Sequence, residues 1–441
     1  MDSGKVKEVI TVQKKLCILL VLSACFFMSS SACSNELGTY LEDLLGKNNQ
    51  IKSYEAKKEQ AEEKLWQAKS KYMPRVDASA QAGKETIARE VGEYSSKDRS
   101  YVNVKSTQLV TDFGKTSAGI ARARGLMRQA ELQLNLVRKQ VLLEGITAYL
   151  QVLQAREQLH YAKKSEKNIR EQTGMEETLV RKGAGLSSDV LQAKAQLSGA
   201  MALRVRAEGD LETALSRFQA VFHTVLDEGE IATLTTPAIR EDNIPLTKDE
   251  AVSQALKANP RLLVLRKALD VAGRDIDIQQ GNLLPTVNLF AELEYKENDA
   301  GIRGYRKDTR GGVEVNYNLF SSGGDWASFK AARKNRVSVL KNLEYEQKQV
   351  EKRARNDWNN FLVQTKNHRL LQNQARIANE FLELAKKERK LGNRSLLDIL
   401  AGETEYIRSV SDAVAAEISR KLAVYKLLYT TGDLSLNTVT R

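Results

Sequence analysis

The sequence predicts a mostly α-helical chain with a smaller β part, built as two tandem copies of one unit: a helix, two strands and a long helical hairpin. Three observations predict it. "RKGAGLSSDVL" at 181–191 returns as "KLGNRSLLDIL" at 390–400, and Gly183/Gly392, Asp189/Asp398 and Leu191/Leu400 all pair at an offset of 209. Within each copy the apolar spacing switches from the helical period to strict alternation and back. Finally, residues 114 to 181 run without proline and with helix formers throughout. A period near 200 residues is too long for a solenoid; it marks two copies of a whole substructure.

The N-terminus comes first. Lys14 and Lys15 precede an apolar run from Leu16 to Met28 and the small residues Ser29 to Ala32, so residues 1–32 read as an export signal peptide. Cleavage after Ala32 places Cys33 first, which makes Cys33 a candidate lipidation site; the alternative is a plain cleaved signal. All three cysteines lie within the first 33 residues, so no disulfide or cysteine metal site is expected beyond them. After residue 33 no apolar run is long enough for a membrane-spanning helix.

The first copy is expected over residues 37–240. Its opening helix, "TYLEDLLGKNNQIKSYEAKKEQAEEKLWQAKSKYM", must stop at Pro74. Past the proline, Val76, Ala78, Ala80 and Ala82 alternate with Asp77, Ser79 and Gln81. After a polar loop, Val102 and Val104 alternate with Asn103 and Lys105. These are strands with one apolar and one polar face.

The long helix follows, from about Gly114 to Arg181, roughly 100 Å at 1.5 Å per residue. It carries two opposed apolar seams, one through Ala130, Leu134, Val137, Val141, Ala148 and Val152, the other through Leu132, Leu136, Leu143, Ile146, Leu150 and Leu153. Two opposed seams require a neighbour on each side, as in the wall of a ring. At Gly183 and Gly185 the chain reverses, with Ser187 or Ser188 expected to cap the returning helix and Asp189 in its first turn.

The second copy is expected over residues 241–434. Thr247 and Glu250 make a capping box for its first helix. Its strands carry Val287, Leu289, Ala291, Leu293 and Tyr295, then Val313, Val315, Tyr317 and Leu319, on alternate positions, with Phe290 as the exception. Residues 435–441 read as a polar tail. The chain therefore holds four strands in two hairpins, too few to close a barrel with a polar interior. Strands with an apolar outer and a polar inner face suit a membrane β-barrel, and closure then needs strands from several chains.

No catalytic constellation is present. His160, His223 and His368 lack metal-ligand spacing, and no phosphate loop or dinucleotide fingerprint occurs. The chain is expected not to be an enzyme and to need no cofactor or metal. Its formal charge of +12 is spread along helix faces, which reads as solvated surface and not as a nucleic-acid interface.

The ordered, duplicated stretches "SKYMPRVDASAQAG", "STQLVTDFGKTSAGIARAR", "LVRKGAGLSSDVLQAKAQL", "GNLLPTVNLFAEL", "VNYNLFSSGGDWASFKAAR" and "KLGNRSLLDILAGETEY" resemble the TolC-like outer-membrane channel proteins over nearly all of the chain. The resemblance implies a homotrimer, with a 12-stranded barrel in outer-membrane lipid on a 12-helix periplasmic α-barrel. It implies an outer-membrane channel-tunnel of a Gram-negative-type cell. A periplasmic adaptor and an inner-membrane transporter of ABC or RND type would pass it secreted proteins or drugs. "LVTDFGK" and the first tip resemble members that serve type I protein secretion.

By resemblance, adaptor contact falls on the tips: Gly183, Ala184, Gly185, Leu186 and Ser187, then Gly392, Asn393, Arg394 and Ser395. A gate latch falls on Asp189 and Arg394, and an acidic constriction on Asp398. The chain departs from the family where Arg389 replaces a latch tyrosine and Ala401 a second acid. The competing readings are an elongated periplasmic coiled-coil scaffold, or an adaptor without a channel. Neither calls for duplicated two-faced strands.

Overall fold

The computed structural model describes residues 36–88, 94–183, 186–237 and 244–440. The expected signal segment, Cys33, and the tip residues Ala184 and Gly185 lie outside the described residues.

The chain opens with α1 (Glu36–Lys47) and α2 (Asn49–Ser70), then β1 (Arg75–Ile87) and β2 (Ser95–Thr111). The hairpin of α3 (Lys115–Arg181) and α4 (Ser187–Phe222) follows, and short α5 (Glu228–Thr233) links onward. The order then repeats: α6 (Lys248–Ala258), α7 (Pro260–Gly281), β3 (Thr286–Glu297), β4 (Tyr305–Asn316), α8 (Gly324–Lys390) and α9 (Leu396–Thr431). A last helix, α10 (Leu436–Thr440), ends the chain. Helices α3 and α8 are each 67 residues, α4 and α9 each 36.

Two boundaries differ from expectation for a clear local reason. The opening helix of each copy is broken in two, at Asn48 and at Asn259, both in extended backbone. Each asparagine turns its side-chain oxygen onto the N–H groups of the next helix, Asn48 onto Gln50 and Ile51, Asn259 onto Arg261. Pro260 sits at the first helical position, where its missing N–H costs nothing. At the first tip the N-cap is Leu186, without a side-chain cap; Ser187 is already helical. In the second copy Ser395 does cap, accepting from the Asp398 N–H at 3.2 Å.

The core sits mid-way along α3, where α1, α4, α9 and α10 converge on it. Tyr40 packs edge-on against both Phe218 and Phe222 in one aromatic cluster, with Phe218 fully buried. Burial pushes the phenols of Tyr149 and Tyr425 up to about 12; Tyr149 still donates to the Thr235 carbonyl at 2.8 Å. Two lysines, Lys421 buried and Lys139 half-buried, tie connecting segments to this core. Lys139 Nζ donates to the carbonyls of Gly432 and Leu434, and Lys421 Nζ to that of Pro237. Burial lowers both ammonium groups. The segment expected as a polar tail folds against this core, because Leu434 and Val439 supply the apolar contacts that dock α10.

Both seams of α3 are covered within one chain over residues 141–155. Toward the strands, α2 packs on α3, α3 on α7 and α7 on α8; toward the tips, α4 packs on α3, α3 on α9 and α9 on α8. The sheet has the order β1-β2-β3-β4, all antiparallel. Every tier is therefore a four-membered layer with open ends: β1 and β4, then α2 and α8, then α4 and α8.

Candidate functional site: the two-faced sheet and the helical tips

The strand register sorts the sheet into two faces. Val76, Ser106, Ala291 and Gly311 share one row, Ala78, Val104, Leu293 and Thr309 the next, all on the same face. This apolar face is the exposed one: Val76 is 64% exposed, Leu293 57% and Val313 62%. The opposite face is polar and better covered, with Glu294 only 8% exposed. That arrangement inverts the pattern of a water-soluble sheet.

Ion pairs fill the polar face. Arg310 reaches Glu292 at 3.3 Å and Glu294 at 3.0 Å, Lys296 reaches Glu294 at 3.1 Å, and Asn103 donates to Glu292 at 2.7 Å. Phe290 belongs to this face. Its partner across the ladder is Gly312, and a Cβ there would stand 3.3 Å from the ring. Lys105 Nζ lies 5.5 Å above the same ring. The glycine makes room for the phenyl group, and the cation caps it, so an aromatic side chain sits on a charged wall without facing water alone.

The tips lie at the opposite end of the helices from the strands. Gly183 (φ 78°) and Gly392 (φ 81°) take the left-handed backbone that reverses each hairpin. Leu186, Ser187, Asn393 and Ser395 are exposed. Asp189 accepts from Ser188 Oγ at 3.3 Å. Arg394 pairs with Glu388 at 2.7 Å and lies over the Phe381 ring at 5.2 Å. Within the chain, then, Arg394 is not brought to Asp189.

Other residues link the two hairpins. Arg389 of α8 donates to Glu176 of α3 at 2.8 Å, with Glu176 nearly buried. Glu403 of α9, also buried, accepts from Asn168 of α3 and lies 3.5 Å from Lys386 of α8. Within the first hairpin, Lys194 sits 2.8 Å from Glu177 and holds that carboxyl below its usual range. Glu176, Asn168 and Glu403 were not singled out in the sequence. Glu176 lies 213 residues from Arg389, and Asn168 lies 235 from Glu403, so no local pattern joins either pair.

Asp398 is exposed and lines a groove of about 610 Å³ between α8 and α9. Ala401 and Glu405 follow it on the same face of α9, across from Leu370, Ile377 and Phe381. Among the described residues no cluster of His, Cys, Asp or Glu has the geometry to hold a metal, and no helix is long and apolar enough to cross a membrane.

The family profile "Outer membrane efflux protein" matches residues 40–222 and again 251–433. The outer membrane efflux protein BepC of Brucella suis is 24% identical over 420 residues, covering 94% of this chain and 89% of its own. The outer membrane protein TolC of Vibrio cholerae is 24% identical over 440 residues, covering 96% of each. The crystal structure of the Campylobacter jejuni CmeC outer membrane channel superposes with a TM-score of 0.78 at 18% identity, over 91% of this chain and 86% of that one. Proteins of this kind are the outer-membrane parts of tripartite efflux and secretion systems, alongside an adaptor and an inner-membrane transporter. With the family profile matched twice along its length, the chain belongs to the outer membrane efflux protein family, as a non-enzymatic TolC-like outer-membrane channel with a large periplasmic helical part.

Proposed function

We propose that three copies of this chain close edge to edge into one export channel, and that its helical tips receive a periplasmic adaptor fed by an ABC or RND-type transporter. The observation that carries the reading is the set of open edges. Strands β1 and β4 are antiparallel to each other, so β4 of one copy can extend the sheet onto β1 of the next. The helical tiers end openly on the same two sides, with α8 at one end and α2 or α4 at the other. A head-to-tail interface of this kind closes into a ring. Closure puts the exposed valines and leucines against lipid and the ion-paired face around water.

In this ring the tips Gly183–Ser187 and Gly392–Ser395 face the adaptor. Asp398 contributes one carboxylate per copy to an acidic constriction that favours cations. Arg389–Glu176 and the Glu403 contacts hold each second hairpin against the first, and Asp189 and Arg394 supply a further link across the closed mouth. The first-tip and "LVTDFGK" stretches favour type I secreted proteins as cargo. Cysteines at Gly185 and Asn393, in a Cys33→Ser background, test the docking: crosslinking in cells should capture a periplasmic adaptor on the tips. A chain recovered as a soluble monomer, with no adaptor crosslinked, would overturn the reading.

A further inference from the structure

The far end of the sheet, away from the helices, carries a folded loop. The β3–β4 connection closes on itself. The Asn298 N–H donates to the Gly304 carbonyl at 2.8 Å, and the Gly304 N–H donates back to Asn298 Oδ1 at 3.1 Å. Asn298, Ala300, Gly301 and Gly304 all take positive φ, so the loop curls tightly where it could have extended the hairpin.

The curled loop is tied to the other hairpin. The Gly301 carbonyl accepts from Lys97 Nζ at 2.9 Å and from Ser95 Oγ at 3.3 Å, and the Gly301 N–H donates to Glu85 Oε2 at 3.2 Å. Asp299 accepts from Arg99 Nε at 2.7 Å. Counting by twos along the strands, Glu85 shares the face of Asp77, and Lys97 and Arg99 share the face of Lys105. Every side chain that holds the loop at Gly301 and Asp299, Ser95 included, therefore stands on the polar face. The loop is folded over the side of the sheet that lines the channel.

We propose that residues 298–304 form an outer size filter: a strap pinned over the channel mouth by Arg99–Asp299 and the Gly301 contacts, one from each copy. It rests on the trimeric channel reading. The pins are polar and half-buried, so they can be exchanged for water when bulky cargo passes. A closed loop with its own internal hydrogen bonds moves as a unit about the strand ends, and three such units set the width of the opening.

The geometry also supplies the test. A Cβ at Gly301 would stand 3.5 Å from the Ser95 Cβ, at the near edge of the roughly 3.5–4.5 Å range that a disulfide spans. The full chain in a Cys33→Ser background is reconstituted in planar bilayers, and polyethylene glycols of graded size are added on the outer side while potassium chloride conductance is read. Arg99→Gln and Asp299→Asn should let larger polymers enter than the parent admits. Adding Ser95→Cys and Gly301→Cys to the Arg99→Gln chain should restore the parent cut-off on oxidation and release it on reduction. An unchanged cut-off in Arg99→Gln, in Asp299→Asn and in both redox states overturns the filter. A parent chain that forms no conducting pore overturns the channel reading itself, and the two failures are distinct.

Discussion

Removing Arg389 should loosen the closed tunnel more than any change at the exposed tip glycines. Arg389 is 26% exposed and Glu176 only 7%, and their bond joins α8 to α3 at 2.8 Å. Taking away one partner of a buried pair leaves the other charge desolvated and alone, which costs about 3–5 kcal/mol. Arg389 is partly wetted, so the lower figure, about 3 kcal/mol, applies here. At about 1.4 kcal/mol per decade, the Arg389→Ala variant should shift the closed-to-open balance of each chain about a hundredfold. In planar bilayers this reads as frequent, long openings in place of a mostly closed trace, and Glu176→Gln should give the same direction. The swap Arg389→Glu with Glu176→Arg should recover much of the closure, because the pair is remade. Arg376–Glu380 is the control, an exposed pair within one helix that should change conductance little when broken. Unchanged conductance in Arg389→Ala, or a double-mutant cycle with no coupling to Glu176, would refute the latch.

Further outcomes follow from other sites. Asp398→Asn should lower the cation preference of the pore, read as a shift of reversal potential in a salt gradient, because it removes from every copy the carboxylate proposed to line the constriction. Tyr149→Phe should cost about 1 kcal/mol by leaving the Thr235 carbonyl without its donor. Tyr425→Phe should be neutral or stabilising, since that buried hydroxyl makes no protein hydrogen bond among the described residues; thermal unfolding compares the two. Alkali should weaken the fold through the same phenols. With folded values raised to about 12 against 10 for an open chain, their contribution is intact below pH 10 and lost between pH 10 and 12. The loss is at most about 2–3 kcal/mol for each tyrosine, and the double Phe variant should flatten the pH dependence of unfolding.

Much of the architecture was legible because it is written in short-range periods. The strand faces follow from alternation, and the 67-residue helices from proline-free runs with two apolar seams. The reversal at Gly183 and Gly392 follows from a backbone conformation that glycine alone takes freely. The break at Asn48 was missed because asparagine inside a helical pattern costs little by propensity, and only its capping bonds reveal the turn; at Asn259 the neighbouring Pro260, a residue that fits the first helical position, was the signal that went unread. Phe290 read as an interruption of the alternation, and its place over Gly312 needed the register of a strand 22 residues away. The hairpin-to-hairpin bonds were hidden for a stronger reason. Arg389 stood out as a departure from the family, but its partner Glu176 is one acid among many on charged helices. Only packing selects which of those acids is buried.

The most direct test of the account is the copy number of the chain extracted from the outer membrane, measured by native mass spectrometry in detergent. The proposed ring, closed across the open edges of every tier, predicts three chains per particle. A monodisperse single chain, stable with its valine and leucine face exposed, would contradict the account.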